Sequence, residues 1–111
     1  MLNLPEEFLF SGPGQGGGVI QGTASEATLV AILSAKAKAV QDYKKSNEDN
    51  VKEFKSRLVA YASAQAHSSV ERAGLLSDVE MRLLEPDQDL SLRGDTLAKA
   101  IKEDEAKGTV L

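Results

Sequence analysis

Leu58-Val59-Ala60-Tyr61-Ala62-Ser63-Ala64-Gln65-Ala66-His67-Ser68-Ser69-Val70-Glu71-Arg72-Ala73-Gly74-Leu75-Leu76-Ser77-Asp78-Val79-Glu80-Met81-Arg82-Leu83-Leu84 is the stretch that decides the fold. Residues 58–63 are a short apolar run of strand length. Ser68 and Glu71 stand three apart, the spacing of a capping box, and predict a helix running to about Leu76. Val79–Leu84 alternates as a second strand and Pro86 closes it. Strand, helix and strand in this order imply parallel pairing through a right-handed crossover, in a sheet that needs helices on both faces.

Downstream, a helix is expected from about Arg93 to Ala106, ended by Gly108, before Thr109-Val110-Leu111 begins another extended run. Upstream, Ala27, Val30, Ala31, Leu33, Ala37 and Val40 fall near helical spacing and predict the longest helix from about Ala24 to Lys45. Lys36, Lys38, Lys44 and Lys45 are then available for solvent. Ser46–Asn50 is a polar break, and Val51–Ser56 forms a further helical turn. The opening residues carry Leu2, Leu4, Phe8, Leu9 and Phe10 around Pro5, a short helical or irregular apolar segment that needs burial elsewhere. The pattern yields three or four short strands, a thin sheet for a parallel fold. A chain that stops just inside an expected strand predicts a partial sequence of a larger α/β protein.

A second informative stretch is Gly16-Gly17-Gly18-Val19-Ile20-Gln21-Gly22-Thr23-Ala24-Ser25-Glu26, in which a glycine loop and a short apolar run lead into a helix start. Thr23 and Glu26 again have capping-box spacing. Backbone N–H groups in the first turn of a helix have no intrahelical partner and, with the helix dipole, attract a phosphate or carboxylate. The small residues Gly22, Thr23, Ala24 and Ser25 leave room for a ligand at the backbone, and two of them carry hydroxyls. The glycines serve either a turn or the close approach of a ligand.

In 111 residues, 41% hydrophobic and 27% charged, the composition is that of one globular unit. A net charge of -4 argues against a nucleic-acid surface. With no cysteine and one histidine, neither a disulfide framework nor a protein-bound zinc site is expected. The first residues lack the basic and apolar segments of a signal peptide and no run reaches membrane-spanning length, so no membrane association and a cytoplasmic location are expected.

The two helix starts, at Thr23–Glu26 and at Ala66–Glu71, each follow a short apolar run. In a parallel sheet both would lie at the carboxyl ends of strands, where ligands of open α/β sheets bind, with His67 facing the same crevice. An imidazole there can stack on an aromatic cofactor, accept a proton, or bond within the protein. Read alone, Ser68 and Ser69 are cap and packing residues, Lys102-Glu103-Asp104-Glu105 is a solvated helix face, and Tyr43, Phe54 and Tyr61 pack.

Gly-Gly-Gly-Val-Ile-Gln-Gly-Thr-Ala-Ser-Glu-Ala-Thr-Leu-Val-Ala at 16–31 and Gln-Ala-His-Ser-Ser-Val-Glu-Arg-Ala-Gly-Leu at 65–75 resemble the group II pyridoxal-phosphate-dependent aromatic-amino-acid and histidine decarboxylases. Met-Leu-Asn-Leu-Pro-Glu at 1–6 and Leu-Arg-Gly-Asp-Thr-Leu at 92–97 extend the likeness over nearly the whole chain, most weakly at 41–57. The resemblance implies an α/β fold, with residues 1–111 forming part of the large, cofactor-binding domain of an aspartate-aminotransferase-like three-layer α/β/α protein that is normally a homodimer.

By the matching motifs, Thr23, Ala24 and Ser25 hold the phosphate of pyridoxal 5'-phosphate, and His67, the catalytic residue of the segment, lies over the pyridine ring beside the amino-acid substrate. The family's Schiff-base lysine, the aspartate that pairs with the pyridine nitrogen, the mobile-loop tyrosine and the C-terminal small domain have no counterpart in this segment, which predicts that it is inactive alone. Ala64 stands where many relatives carry Asp. The implied reaction converts an aromatic L-amino acid to its amine and carbon dioxide. The alternatives are a histidine decarboxylase, an acidic-substrate decarboxylase of the same fold, and a non-catalytic anion-binding or interaction module.

Overall fold

The computed structural model describes residues 3–14, 16–46 and 50–109. After a 3-10 turn at Glu6–Phe8, the chain forms α1 (Ala24–Ser46), α2 (Val51–Ser56), β1 (Val59–Ser63), α3 (Ser68–Ser77), β2 (Glu80–Leu84) and α4 (Gly94–Ala106). β1 and β2 pair in parallel, with Val59 opposite Glu80 and Ser63 opposite Leu84. Alternation along each strand puts Tyr61 and its partner Arg82 on one face and Ala60 and its partner Met81 on the other.

A different helix covers each face. α3 lies on the Met81 face so closely that a Cβ on Gly74 would stand 3.0 Å from Met81 Cβ and 3.1 Å from the Val79 carbonyl oxygen. α4 lies on the Tyr61 face. The Tyr61 hydroxyl donates to Asp104 Oδ2 at 2.8 Å, and the Arg82 guanidinium reaches Asp104 at 2.6 Å and Glu103 at 2.7 Å. The βαβ core and its helix-covered faces are those expected.

α1 lies beside α3, and its far end packs with α2 and the chain leading into β1. Val40, Phe54 and Leu58 are buried together there, and the Tyr43 and Phe54 rings stack at a centroid distance of 4.0 Å. The packing expected of Tyr43, Phe54 and Tyr61 is therefore present.

Several expectations are corrected. Among the described residues the sheet has two strands, not three or four. The run before α1 makes no strand: Val19 and Ile20 are 72% and 99% exposed, and no strand among the described residues pairs with them. Thr109 follows the end of α4, its N–H donating to the Asp104 carbonyl, and residues 110–111, the rest of the expected extended run, lie outside the described residues. Gly108 ends α4 in the left-handed conformation, φ 79°, as a helix C-terminal glycine does.

The inward stripe of α1 is also displaced from the expected one. Leu29, Ile32, Lys36, Ala39, Val40 and Tyr43 turn inward, whereas Ala27, Ala31, Leu33 and Ala37 are exposed. Lys36 is accordingly not a solvent lysine. Its side chain is 15% exposed, and its ammonium donates to the carbonyls of Ser77 and Asp78 at 2.6 and 2.9 Å, capping the last turn of α3. Asp104 departs from the solvated face assigned to it: it is buried, because Tyr61 and Arg82 supply the donors that its carboxylate needs. Of the apolar opening segment, Leu4, Phe8, Leu9 and Phe10 remain exposed, while Leu2 lies outside the described residues.

Candidate functional site

A tight turn carries the chain from the carboxyl end of β1 to His67. The Ala64 N–H extends the ladder to the Leu84 carbonyl at 2.8 Å, the Ala66 N–H closes on the Ser63 carbonyl at 2.9 Å, and the Gln65 N–H donates to Ser63 Oγ at 3.2 Å. His67 is thereby set at the sheet edge and at the start of α3. Ala64, in that turn, has only a methyl group to offer.

The cap of α3 is not Ser68 but His67. Its backbone is extended, φ -60° and ψ 144°, and its Nδ1 accepts the Ser69 N–H at 3.2 Å, with Ser69 Oγ at 2.9 Å. Ser68 is the first helical residue, one position too late to cap. An imidazole Nδ1 occupies the same place along the side chain as the Oδ1 of Asn or Asp, which explains how a histidine can fill the role.

At the start of α1, Thr23 Oγ1 accepts the Glu26 N–H at 3.1 Å, as its spacing predicted. The Glu26 carboxylate turns back over Gly22, where a Cβ would meet it at 2.6 Å. Thr23, Ala24 and Ser25 are exposed. Gly16 serves a close approach, but within the protein, since a Cβ there would lie 2.3 Å from the Glu7 carbonyl oxygen. Gly17 and Gly18 border open space.

The first turns of α1 and α3 are neighbours. Ser25, Glu26 and Leu29 face Ser69, Arg72 and Ala73 across a cavity of about 120 Å³. The two helix starts, expected to face one crevice, are thus neighbours, although only the second follows a strand and neither Thr23 nor His67 lines this cavity. What sequence reasoning missed is the pair of contacts that hold this site: Ser69 on His67, and Lys36 on the far end of α3. The signal for Lys36 was its place in phase with Leu29, Ile32 and Tyr43.

The donor set fits a phosphorylated aromatic cofactor. Thr23 accepts at Oγ1 and keeps its own hydroxyl hydrogen to donate, Ser25 adds a second hydroxyl, and the exposed first turn of α1 offers backbone N–H groups. His67 turns Nδ1 into α3 and leaves Nε2 for a ligand. Among the described residues no group of three His, Cys, Asp or Glu side chains is placed to hold a metal ion, and no helix is long and apolar enough to cross a membrane.

A family model described as the pyridoxal-dependent decarboxylase conserved domain matches residues 1–111. The chain belongs to that family. It is 55% identical over 111 residues to an aromatic-L-amino-acid decarboxylase of Drosophila lebanonensis, covering 99% of this chain and 28% of the relative. It is 53% identical over 112 residues to a histidine decarboxylase of Homo sapiens, covering 99% of this chain and 17% of the relative. The solved structure of Oryza sativa TDC with PLP superposes with a TM-score of 0.79 at 32% identity, over 98% of this chain and 24% of that one. The pyridoxal-decarboxylase family, its pyridoxal-phosphate cofactor and the aspartate-aminotransferase-like α/β class agree with the resemblance in the two motifs. The chain spans about a quarter or less of the length of several of these proteins.

Proposed function

We propose that this chain is the phosphate- and ring-binding part of a decarboxylase that converts an aromatic L-amino acid to its amine and carbon dioxide. The observation that carries the reading is the closeness of the first turns of α1 and α3, where Ser25 of the first motif and Ser69, the residue on His67 Nδ1, line one cavity. Pyridoxal phosphate, when bound, supplies the electron sink for the carbon–carboxylate bond that breaks. Thr23, Ala24 and Ser25 bind its phosphate. His67 covers its ring and borders the amino acid. The exposed Phe10, Leu75 and Leu83 support the further reading that residues 1–111 are one part of a large domain, whose other parts cover these side chains. A homodimer and a cytoplasmic location complete this reading.

The test uses the complete polypeptide that carries this sequence. His67→Ala is expected to abolish most carbon dioxide release with cofactor still bound, whereas Thr23→Val with Ser25→Ala mainly weakens cofactor affinity. Full turnover in His67→Ala would remove His67 from the reaction. Histidine is the second substrate to assay, because identity to the histidine decarboxylase, 53%, is close to the 55% for the aromatic enzyme. Sedimentation of the holoenzyme tests the dimer.

A further inference from the structure

His67 is held by one residue through two groups. The Ser69 N–H points at Nδ1 from 3.2 Å and Ser69 Oγ lies 2.9 Å from the same nitrogen. A backbone N–H can only donate, so Nδ1 must present its lone pair; a hydrogen on Nδ1 would set two N–H groups head to head. The neutral imidazole then carries its hydrogen on Nε2. With the lone pair facing it, Ser69 Oγ is the donor of the second contact, which fixes the rotation of the ring as well as its tautomer.

We propose that Ser69 is a positioning residue, whose hydroxyl and N–H together lock His67 as the Nε2–H tautomer with the Nε2 edge turned away from α3. The hydrogen that His67 offers a ligand is therefore always the one on Nε2. This rests on the reading above that His67 faces the cofactor and substrate. It also gives Ser69 a task that neither a simple cap nor a nucleophile has. A serine that only stabilised the helix would give the ring its backbone N–H alone, whereas here the hydroxyl reaches the same nitrogen. Here the donor pair and the cap are the same atoms, so the folding of α3 and the choice of tautomer are one event.

The test is ring-nitrogen NMR of the holoenzyme labelled in histidine, with the His67→Asn spectrum subtracted to assign the signals. In its neutral form the wild-type ring is expected to show Nδ1 as a bare nitrogen and Nε2 as N–H. In Ser69→Ala the N–H that selects the tautomer remains, so Nδ1 stays a bare nitrogen, but its signal moves with loss of the hydroxyl hydrogen bond, and in Ser69→Thr, which keeps the hydroxyl, it returns. In parallel kcat falls about tenfold or more in Ser69→Ala, the scale on which small misplacements of a reacting group act, while cofactor affinity holds and Ser69→Thr recovers turnover. A wild-type Nδ1–H signal, or ring signals unchanged in Ser69→Ala, overturns the proposal. The wild-type spectrum decides it even where a variant folds poorly. Normal turnover in His67→Ala would instead overturn the functional reading and leave the ring-nitrogen result standing.

Discussion

The Tyr61 hydroxyl on β1 donates to the Asp104 carboxylate on α4 across 2.8 Å, and Arg82 on β2 pairs with the same carboxylate oxygen. Sheet and helix are joined there by charge and hydrogen bonding where a small parallel sheet would ordinarily rely on apolar contact. Both groups are perturbed by the arrangement. Arg82, and then Tyr61, hold the Asp104 carboxyl below the usual range, while burial, followed by the Asp104 hydrogen bond, pushes the Tyr61 hydroxyl up to about 12.

Stability is therefore expected to fall at both extremes of pH. The unfolded Asp104 binds a proton more readily than the folded one, so its contribution is present above about pH 4 and is lost as pH falls through the lowered folded value. Folded Tyr61 keeps its proton longer than the unfolded phenol, so its contribution is complete below about pH 10 and is lost as pH rises towards about 12. Urea midpoints across pH should show the alkaline limb flattened in Tyr61→Phe and the acid limb flattened in Asp104→Asn. Limbs identical to wild type would disprove the assignment.

Phe54→Ala is expected to destabilise the protein by about 3–5 kcal/mol, because it removes a buried ring that touches both Val40 and Leu58 and the stacked face of Tyr43. Phe54→Leu should cost less. Chemical denaturation measures both, and a loss below that of an exposed substitution would show that α2 does not pack as described.

Gly74→Val tests how closely α3 lies on the sheet. A side chain there adds helix propensity of about 0.5 kcal/mol over glycine. It also drives a Cβ into Met81 Cβ and the Val79 carbonyl, and overpacking of this kind costs about 1–3 kcal/mol. A net loss is expected, and a stabilised variant would mean that α3 can stand off.

Lys36→Met keeps the apolar stem but removes the ammonium from two carbonyls, with an expected loss of about 1–3 kcal/mol. Hydrogen exchange should rise first at the end of α3. Lys38→Met, at an exposed i,i+4 pair with Asp42, is the control and should change little.

The βαβ order was legible because each of its signals is local: apolar runs of strand length, a turn, and helix-starting residues. α1 and α4 were legible for the same reason, to within a residue or two at their ends. The inward stripe of α1 was misread because alanines satisfy any helical face, so Lys36 looked like solvent and Leu33 like core. Asp104 was misread because a charge run carries no mark of the Tyr61 and Arg82 that wait across the sheet. In the candidate site, Thr23 was recognisable as a cap by its spacing to Glu26. His67 was not, since the same spacing from Ser68 to Glu71 suggested the wrong residue, and only the chain path through Ala64–Ala66 sets which side chain reaches the Ser69 amide. Val19 and Ile20 show the reverse case: a strand needs a neighbour, and neither composition nor periodicity supplies one.

The grip of Lys36 on the last turn of α3 gives the two helices the mechanics of a caliper. One jaw is the start of α1, the other is the residue capping α3, and the hinge that sets their opening lies at the opposite end of the pair. On the function proposed above, a substitution at that hinge would touch no ligand yet alter the gauge offered to a phosphorylated ring, and tightness of binding would then depend on the spacing between two helices as well as on either motif.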